Sequence, residues 1–333
     1  MKIIIDTLGS DFGFERILEG VEASLKEDGT LEFVLVGDEH HVRNWLKGKG
    51  LGNRLGDGRI EIVHATDCIR NDETATVVRT RPNSSISRAA YMLRDRDDCG
   101  AFVSTGNTGA VLAAATLIVG RIPGVKRPAL CPTLPTLKDG VRTMVIDVGA
   151  NMDCKPEYLV QFAIMGSEYM KSRGVENPRV ALVNVGHEDK KGNELTLATF
   201  PLLKDEKSIN FVGNMEANQV LSGDYDIVVC DGFVGNVLLK TAEGSFRVLM
   251  TKIKQSFMSN FKAKIGAMLA KGQLRKLKAL SSEAVGGSIF IGTKKPVVKA
   301  HGGSNVYALV NAILVARDAS RSDLAQRIEV ALR

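Results

Sequence analysis

The residues of this sequence that could do chemistry gather in short glycine-containing loops, each at the end of an apolar run. Gly106, Asn107, Thr108 and Gly109 follow the run 101–104, and Asp147, Gly149 and Asn151 close the run 144–148. Gly186 and His187 follow 180–185, with Lys191 shortly after. Asp231, Gly232, Gly235 and Asn236 follow 227–230, and Lys299 and His301 close the run 297–300. Glycine allows backbone N–H groups to approach an anion closely. A helix that starts in such a loop adds unpaired N–H donors and the positive end of its dipole. Lysine, asparagine and histidine beside these donors suit a phosphate or a developing oxyanion. A site for an anion is therefore the first expectation.

The missing motifs narrow the chemistry. No GxxxxGK[ST] occurs, so a nucleoside triphosphate loop is not expected. No GxGxxG follows the first apolar run, and Gly106 and Gly109 lack the spacing of a dinucleotide fingerprint. No GxSxG elbow occurs either, which leaves Ser104 as a turn or cap residue. Of the five histidines, His40 and His41 fall on a polar early helix and His64 ends a strand; His187 and His301 alone fall in the glycine loops. Five cysteines lie at irregular spacing without a CxxC, as expected of buried, reduced thiols. No metal cluster is visible and no cofactor is expected.

These loops need a scaffold. Apolar runs rich in Val, Ile and Leu, buried on both faces, are the habit of parallel strands covered by helices. Their alternation with helical patterns predicts βαβ units in a doubly wound, mainly parallel α/β/α sandwich. The 333 residues allow a single catalytic α/β unit over 1–333. Pro156 is placed to open a helix to about position 173, Ser304 or Asn305 to cap one running to about 318, and 321–332 to close the chain. With 25% charged residues, 44% hydrophobic residues and a net charge of +6, the chain has an ordinary globular composition whose basic excess suggests acidic partners. Nucleic acid is not expected among them. An acid at position 6 interrupts any leader-like core, and the apolar run 109–120 is shorter than the ~20 residues that span a bilayer. A cytoplasmic protein is the expectation.

One segment departs from the pattern. From 244 to 282 no acidic residue occurs, whereas Arg247, Lys252, Lys254, Lys262, Lys264, Lys271, Arg275, Lys276 and Lys278 do. Phe246, Leu249, Met250, Ile253, Phe257, Phe261, Ile265 and Met268 recur at three- and four-residue intervals, predicting one stripe of a long helix. Leu274, Leu277 and Leu280 predict a second. An inserted amphipathic basic helical hairpin over 245–282 is expected, suited to an acidic protein or an anionic membrane.

At the loops the sequence resembles a known family. The segments 104–110, 147–153, 161–166, 184–194, 231–237 and 299–302 are similar, in order, to motifs of the bacterial acyl-ACP:phosphate acyltransferases (PlsX). The opening Asp6-Thr7-Leu8-Gly9-Ser10-Asp11 differs from the family's usual form by serine for the second glycine, and position 187 usually carries a small or acidic residue. The resemblance implies a Rossmann-like fold related to isocitrate and isopropylmalate dehydrogenases and to phosphotransacetylase. It also implies a homodimer, peripheral membrane contact through the 245–282 hairpin, and acyl transfer from acyl carrier protein to inorganic phosphate. The product would supply a membrane glycerol-3-phosphate acyltransferase in phospholipid synthesis.

Such a reaction assigns roles. A thiolate with a pKa near ~8.5 leaves readily, so the task is to hold phosphate against the carbonyl. Lys191 and loop N–H groups are expected to hold phosphate, and Asn236 to donate to it or to the oxyanion. Lys299 and His301 would complete a cationic wall, with Asp231 orienting a donor or accepting a proton. Asn107 and Thr108 would line the cleft, opposite Asp147 and Asn151. Three alternatives stay open: a coenzyme A-dependent phosphate acetyl- or butyryltransferase, a metal- and NAD-dependent decarboxylating dehydrogenase, and a non-catalytic membrane scaffold.

Overall fold

A computed structural model describes residues 1–272 and 286–333. The first half of the chain alternates β1 (Lys2–Asp6), α1 (Phe14–Glu27), β2 (Phe33–Gly37), α2 (Glu39–Gly48), α3 (Asn53–Gly56), β3 (Ile60–His64), α4 (Ser85–Asp95), β4 (Cys99–Ser104) and α5 (Thr108–Ala114). Short strands β5 (Ala129–Cys131) and β6 (Thr133–Pro135) then lead into β7 (Arg142–Ile146), α6 (Pro156–Ser172), β8 (Arg179–Asn184), α7 (Glu194–Asp205), β9 (Asn210–Glu216) and β10 (Ile227–Val229). Helices α8 (Gly232–Met258) and α9 (Phe261–Leu269) follow, and β11 (Ser288–Ile291), β12 (Val297–Lys299), α10 (Val306–Arg321) and α11 (Leu324–Ala331) complete the described chain.

The strands form two sheets where one was expected. The larger has the order β3-β2-β1-β4-β12-β11-β5 and the smaller β6-β7-β10-β8-β9. All pairings are parallel except those of β11 with β12 and β5, and of β6 with β7. The two sheets abut where the Val148 N–H donates to the Leu130 carbonyl at 3.0 Å and the Leu130 N–H to the Asp147 carboxylate at 2.8 Å. Burial on both faces follows from the strand period of two. Ile3 and Ile5 join one apolar cluster with α1, α6 and α10, while Ile4 joins another with α4 and α5. Full burial of such side chains contributes about 1.5–3 kcal/mol each.

The chain reverses its winding between β1 and β4, where β2 lies to one side and β4 to the other. Ligands of open α/β sheets bind at such switch points, beyond the carboxyl ends of the strands. Pro156 opens α6 as expected, and Asn305 caps α10 by accepting the Ala308 N–H at 2.9 Å. The basic segment differs from expectation. Its helix does not start near 245 but continues unbroken from Gly232 for 27 residues, because the Asp231 cap is the only start signal upstream. It stops at Met258, where Asn260 accepts the Ala263 N–H at 2.9 Å and starts α9. The predicted second helix, with Leu274, Leu277 and Leu280, lies outside the described residues.

Candidate active site

At the carboxyl end of the larger sheet, Asp6 closes β1 as a buried carboxylate. It accepts from the Ser104 hydroxyl at 2.7 Å and the Leu8 N–H at 3.1 Å. Burial raises its pKa above the usual carboxylate range, against the lowering by these hydrogen bonds. The loops that leave β1 and β4 touch backbone to backbone: a Cβ on Gly9 would overlap the amide of Gly106. Ser10, where the family usually has glycine, is accommodated. Its hydroxyl accepts from the Phe12 N–H at 3.1 Å and faces the Gly302 carbonyl at 3.4 Å.

On the neighbouring strand β12, Lys299 is held by the Thr105 carbonyl at 3.2 Å and by the Ala300 carbonyl. Burial pushes its pKa down to about 8, only partly offset by the carboxylates of Asp11 and Asp6. His301 follows, with its Nδ1 accepting the Gly303 N–H at 3.0 Å. Burial, then the nearby ammonium groups of Lys240 and Lys299, hold the imidazole below its ordinary pKa. With Nδ1 accepting, the uncharged imidazole carries its proton on Nε2.

The smaller sheet contributes the second cluster. Asp147 is 0% exposed, and its oxygens accept from the N–H groups of Leu130 (2.8 Å), Ala150 (3.1 Å) and Asn151 (2.6 Å) and from Asn151 Nδ2 (3.0 Å). It was expected to line the cleft; instead these donors consume its lone pairs, and it braces the 147–151 loop. Asn151 is likewise engaged, through Nδ2 with the Pro128 carbonyl at 2.8 Å. The brace seats the start of α8. The Gly232 N–H donates to the Asn151 carbonyl at 2.8 Å, and a Cβ on Gly235 would overlap the Asp147 carbonyl oxygen. Asp231 caps the helix through the Val234 N–H at 2.8 Å. Asn236 then stands over Gly149, where an added Cβ would meet its Cγ at 3.9 Å.

Helix α8 links the two clusters. Lys240 lies one turn beyond Asn236 on the same side of the helix. From there its ammonium acts on both Lys299 and His301, with Glu243 bonded to it at 2.8 Å. Lys240, Lys299 and His301 are thus near enough to act on one another, and Asn236 stands one turn from Lys240 on the same side of α8. The helical period alone could have found Lys240, four residues after Asn236. Asp6 had a weaker signal, an acid ending a wholly apolar strand, and its partner Ser104 is 98 residues away.

Other expected residues sit differently. Asn107 caps α5 through the Ala110 N–H at 2.9 Å and donates to the Arg70 carbonyl at 2.9 Å, so it is a structural cap and not a cleft donor. Gly106 is buried under Ile86, while Thr108 is exposed at the start of α5 and Gly109 packs on Ala75. Lys191 lies one strand away from Asp231, past β8; its stem crosses buried Gly186, and its carbonyl accepts from Asn184 Nδ2 at 2.9 Å. His187 is exposed, with Nδ1 at 3.1 Å from the Asn214 carbonyl. No hydrogen bond among the described residues joins this loop to Lys299 or Asn236. A cavity of about 610 Å³ lies elsewhere, between α6 and α10 beside Arg142 and Tyr307.

The chain is similar to known proteins along its whole length. A family model described as fatty acid synthesis protein matches residues 1–327. A phosphate acyltransferase of Brevibacillus brevis is 45% identical over 100% of this chain and 98% of its own. A phosphate acyltransferase of Bacillus cereus is 43% identical over 96% of this chain and 94% of its own. Among solved structures, a branched-chain phosphotransacylase from Enterococcus faecalis aligns over 96% of this chain and 99% of its own, with a TM-score of 0.62 and 14% identity. The EutD phosphotransacetylase from Staphylococcus aureus gives 0.60, over 98% and 94% of the two chains, at 14% identity. These last two likenesses concern the fold alone. The full-length family match and the identity to phosphate acyltransferases place the chain in one group: it belongs to the fatty acid synthesis protein family that contains the bacterial phosphate acyltransferases.

Proposed function

We propose that this protein transfers a fatty acyl group from the thioester of acyl carrier protein to inorganic phosphate, giving an acyl phosphate and a free thiol. The observation that carries this reading is the cluster of Lys240, Lys299 and His301 within reach of one another, with Asn236 and the amino terminus of α8 one turn away. Such a site suits a phosphate held against a carbonyl. In hydrogen phosphate one oxygen attacks the carbonyl carbon and forms the new C–O bond. The tetrahedral oxyanion collapses, the C–S bond breaks, and the phosphate proton goes to the departing thiolate. His301, whose Nδ1 accepts the Gly303 N–H, carries its proton on Nε2 and donates this N–H to the phosphate; Lys299 and Lys240 hold the phosphate charge. Asn236 donates to the oxyanion, a contribution of about 3–4 kcal/mol for a key donor. Lys191 closes over the phosphate from the neighbouring loop. Asp231 positions Asn236 by capping α8, and no covalent acyl-enzyme is involved.

Exposed Phe233, Val237 and Met152 beside Asn236 suit the apolar end of the donor. The chain forms one catalytic unit and works as a homodimer. No described helix is long and apolar enough to cross a membrane. Membrane contact in this reading is peripheral, through exposed Phe261, Met268 and Leu269 of α9 beside Lys262 and Lys264. The product then passes to a membrane glycerol-3-phosphate acyltransferase.

The test is turnover with palmitoyl-ACP and inorganic phosphate, following thiol release and acyl phosphate trapped as its hydroxamate. Phosphate-dependent release with hydroxamate formation supports the reaction. Release without phosphate dependence makes the protein a thioesterase. Turnover of acyl-CoA alone favours the coenzyme A enzyme, whose solved relatives share the fold.

A further inference from the structure

Because α8 is one unbroken helix from its Asp231 cap to Met258, the angular position of each residue along it is tied to that of Asn236. At 3.6 residues per turn, Lys240, Arg247 and Lys254 fall within about 40° of Asn236 around the axis, one above another. All three are exposed, and Glu243 is the one acid in the row. No further acid occurs from 244 to 282. The residues that α8 buries against the body, Gly232, Leu239 and Gly235, lie about 40–100° round the helix from Asn236, in the sense opposite to Lys240 and Arg247. Phe246, Met250, Ile253 and Phe257 continue that buried face beyond the body. The exposed cationic row therefore runs along the flank of that face, and it leads to Asn236.

We infer that this row is the docking surface for an acidic carrier protein that presents the acyl thioester on a flexible prosthetic arm. The inference rests on the proposed carrier-protein donor and adds the face by which that donor arrives. Arg247 and Lys254 stand about 16 and 27 Å along the axis from Asn236, at 1.5 Å per residue. A folded carrier held there stays outside the cleft while its arm runs along the helix to the reacting groups. A row one residue wide with a carboxylate at its site end suits a shaped protein surface. An anionic bilayer is a poorer match, because Glu243 would be repelled by it, and the exposed apolar side chains that a bilayer accepts lie on α9. Complementary charge of this kind governs encounter and salt dependence more than the chemical step.

The test is the double variant Arg247→Glu/Lys254→Glu, assayed with saturating phosphate and either acyl carrier protein or a small acyl-pantetheine thioester as donor. The expected result is a KM for the carrier-borne donor raised about tenfold or more, with kcat and the small-donor rate close to wild type. The wild-type KM for the carrier should rise with added salt and that of the variant should not. An unchanged carrier KM overturns the inference while the proposed reaction stands. Equal losses with both donors also overturn it, since the row then serves the site itself. Lost sedimentation with phosphatidylglycerol vesicles at unchanged carrier KM assigns the row to the membrane instead. Failure of the wild type with any carrier-borne donor, with turnover of acyl-CoA, removes the functional reading first and the docking surface with it.

Discussion

At the scale of single residues, burial decides what each ionisable group of the site can do. Lys299 is the clearest case, with its pKa pushed down to about 8 by burial. Below that pH the folded and unfolded chains both carry the proton, so the cost of the buried charge is present in full. Between about 8 and the ordinary 10.5 the folded chain sheds the proton first, and stability rises with pH. Phosphate binding in the proposed reaction runs the other way, because there it needs the ammonium. The KM for phosphate should climb by about tenfold per pH unit above the pKa. Lys299→Met should remove that dependence, raise KM at pH 7, and stabilise the fold in urea titrations at neutral pH. A flat phosphate KM from pH 7 to 9.5 in the wild type would take Lys299 out of phosphate binding. Asp147 shows the opposite use of a buried charge. Its carboxylate satisfies three backbone N–H groups and one side-chain amide. Asp147→Ala leaves those donors unpaired, and a loss of about 3 kcal/mol or more in urea unfolding is expected. The sequence displayed Lys299 and Asp147 in equivalent positions, each at the end of an apolar run. What separates a brace from a ligand-facing group is where the partners lie, and no spacing along the chain reports that.

At the scale of elements, the seating of α8 carries the most consequence, because that helix sets Asn236, Lys240 and the cationic row together. Gly235 is the contact point: any side chain there meets the Asp147 carbonyl, which is itself fixed by the sheet. Gly235→Ala should therefore displace the helix start, abolish turnover and cost several kcal/mol, within the ~1–3 kcal/mol of overpacking plus the loss of the brace. Gly244→Ala, on the same helix with no atom within 4 Å of the added Cβ, is the control. It should stabilise the protein by about 0.5–1 kcal/mol and leave kcat unchanged. Equal effects of the two substitutions in thermal melts and turnover would mean that helix propensity, and not the close approach, governs the position. Much at this scale was readable beforehand. Apolar runs marked β1, β2, β4, β7, β8, β10 and β12, and Pro156 and Asn305 marked helix starts. The short strands β5, β6 and β11 were not readable, since three or four residues hold too little periodicity. Nor was the early start of α8: charge drew attention to 244–282, although the cap at Asp231 was the stronger signal.

At the scale of the whole molecule, two abutting sheets explain why the site loops are dispersed from Asp6 to His301 in sequence. Sequence order shows that strands alternate with helices, but the division into sheets depends on β5 leaving one sheet and β6 entering the other within a few residues. The same scale raises the question of α8 beyond Leu239, which has no buried residue despite its apolar face. Phe246, Met250, Ile253 and Phe257 lie on that face, and each contributes about 1.5–3 kcal/mol when fully covered. Together with exposed Leu249 at their edge, they can supply much of the roughly 800 Å² per partner of an ordinary stable interface. In the proposed homodimer a second copy of the chain, with its own α8 antiparallel, would cover this face in a self-complementary way. Sedimentation velocity should then give twice the 36.0 kDa chain mass at micromolar concentration. Phe246→Glu/Ile253→Glu should shift the mass to one chain by placing like charges in the interface. Because neither substitution falls in the cationic row, this variant should keep the salt-dependent carrier KM, separating pairing from docking. A wild-type protein that sediments as one chain would leave the apolar face to the membrane, and vesicle binding would then depend on Phe246 and Ile253.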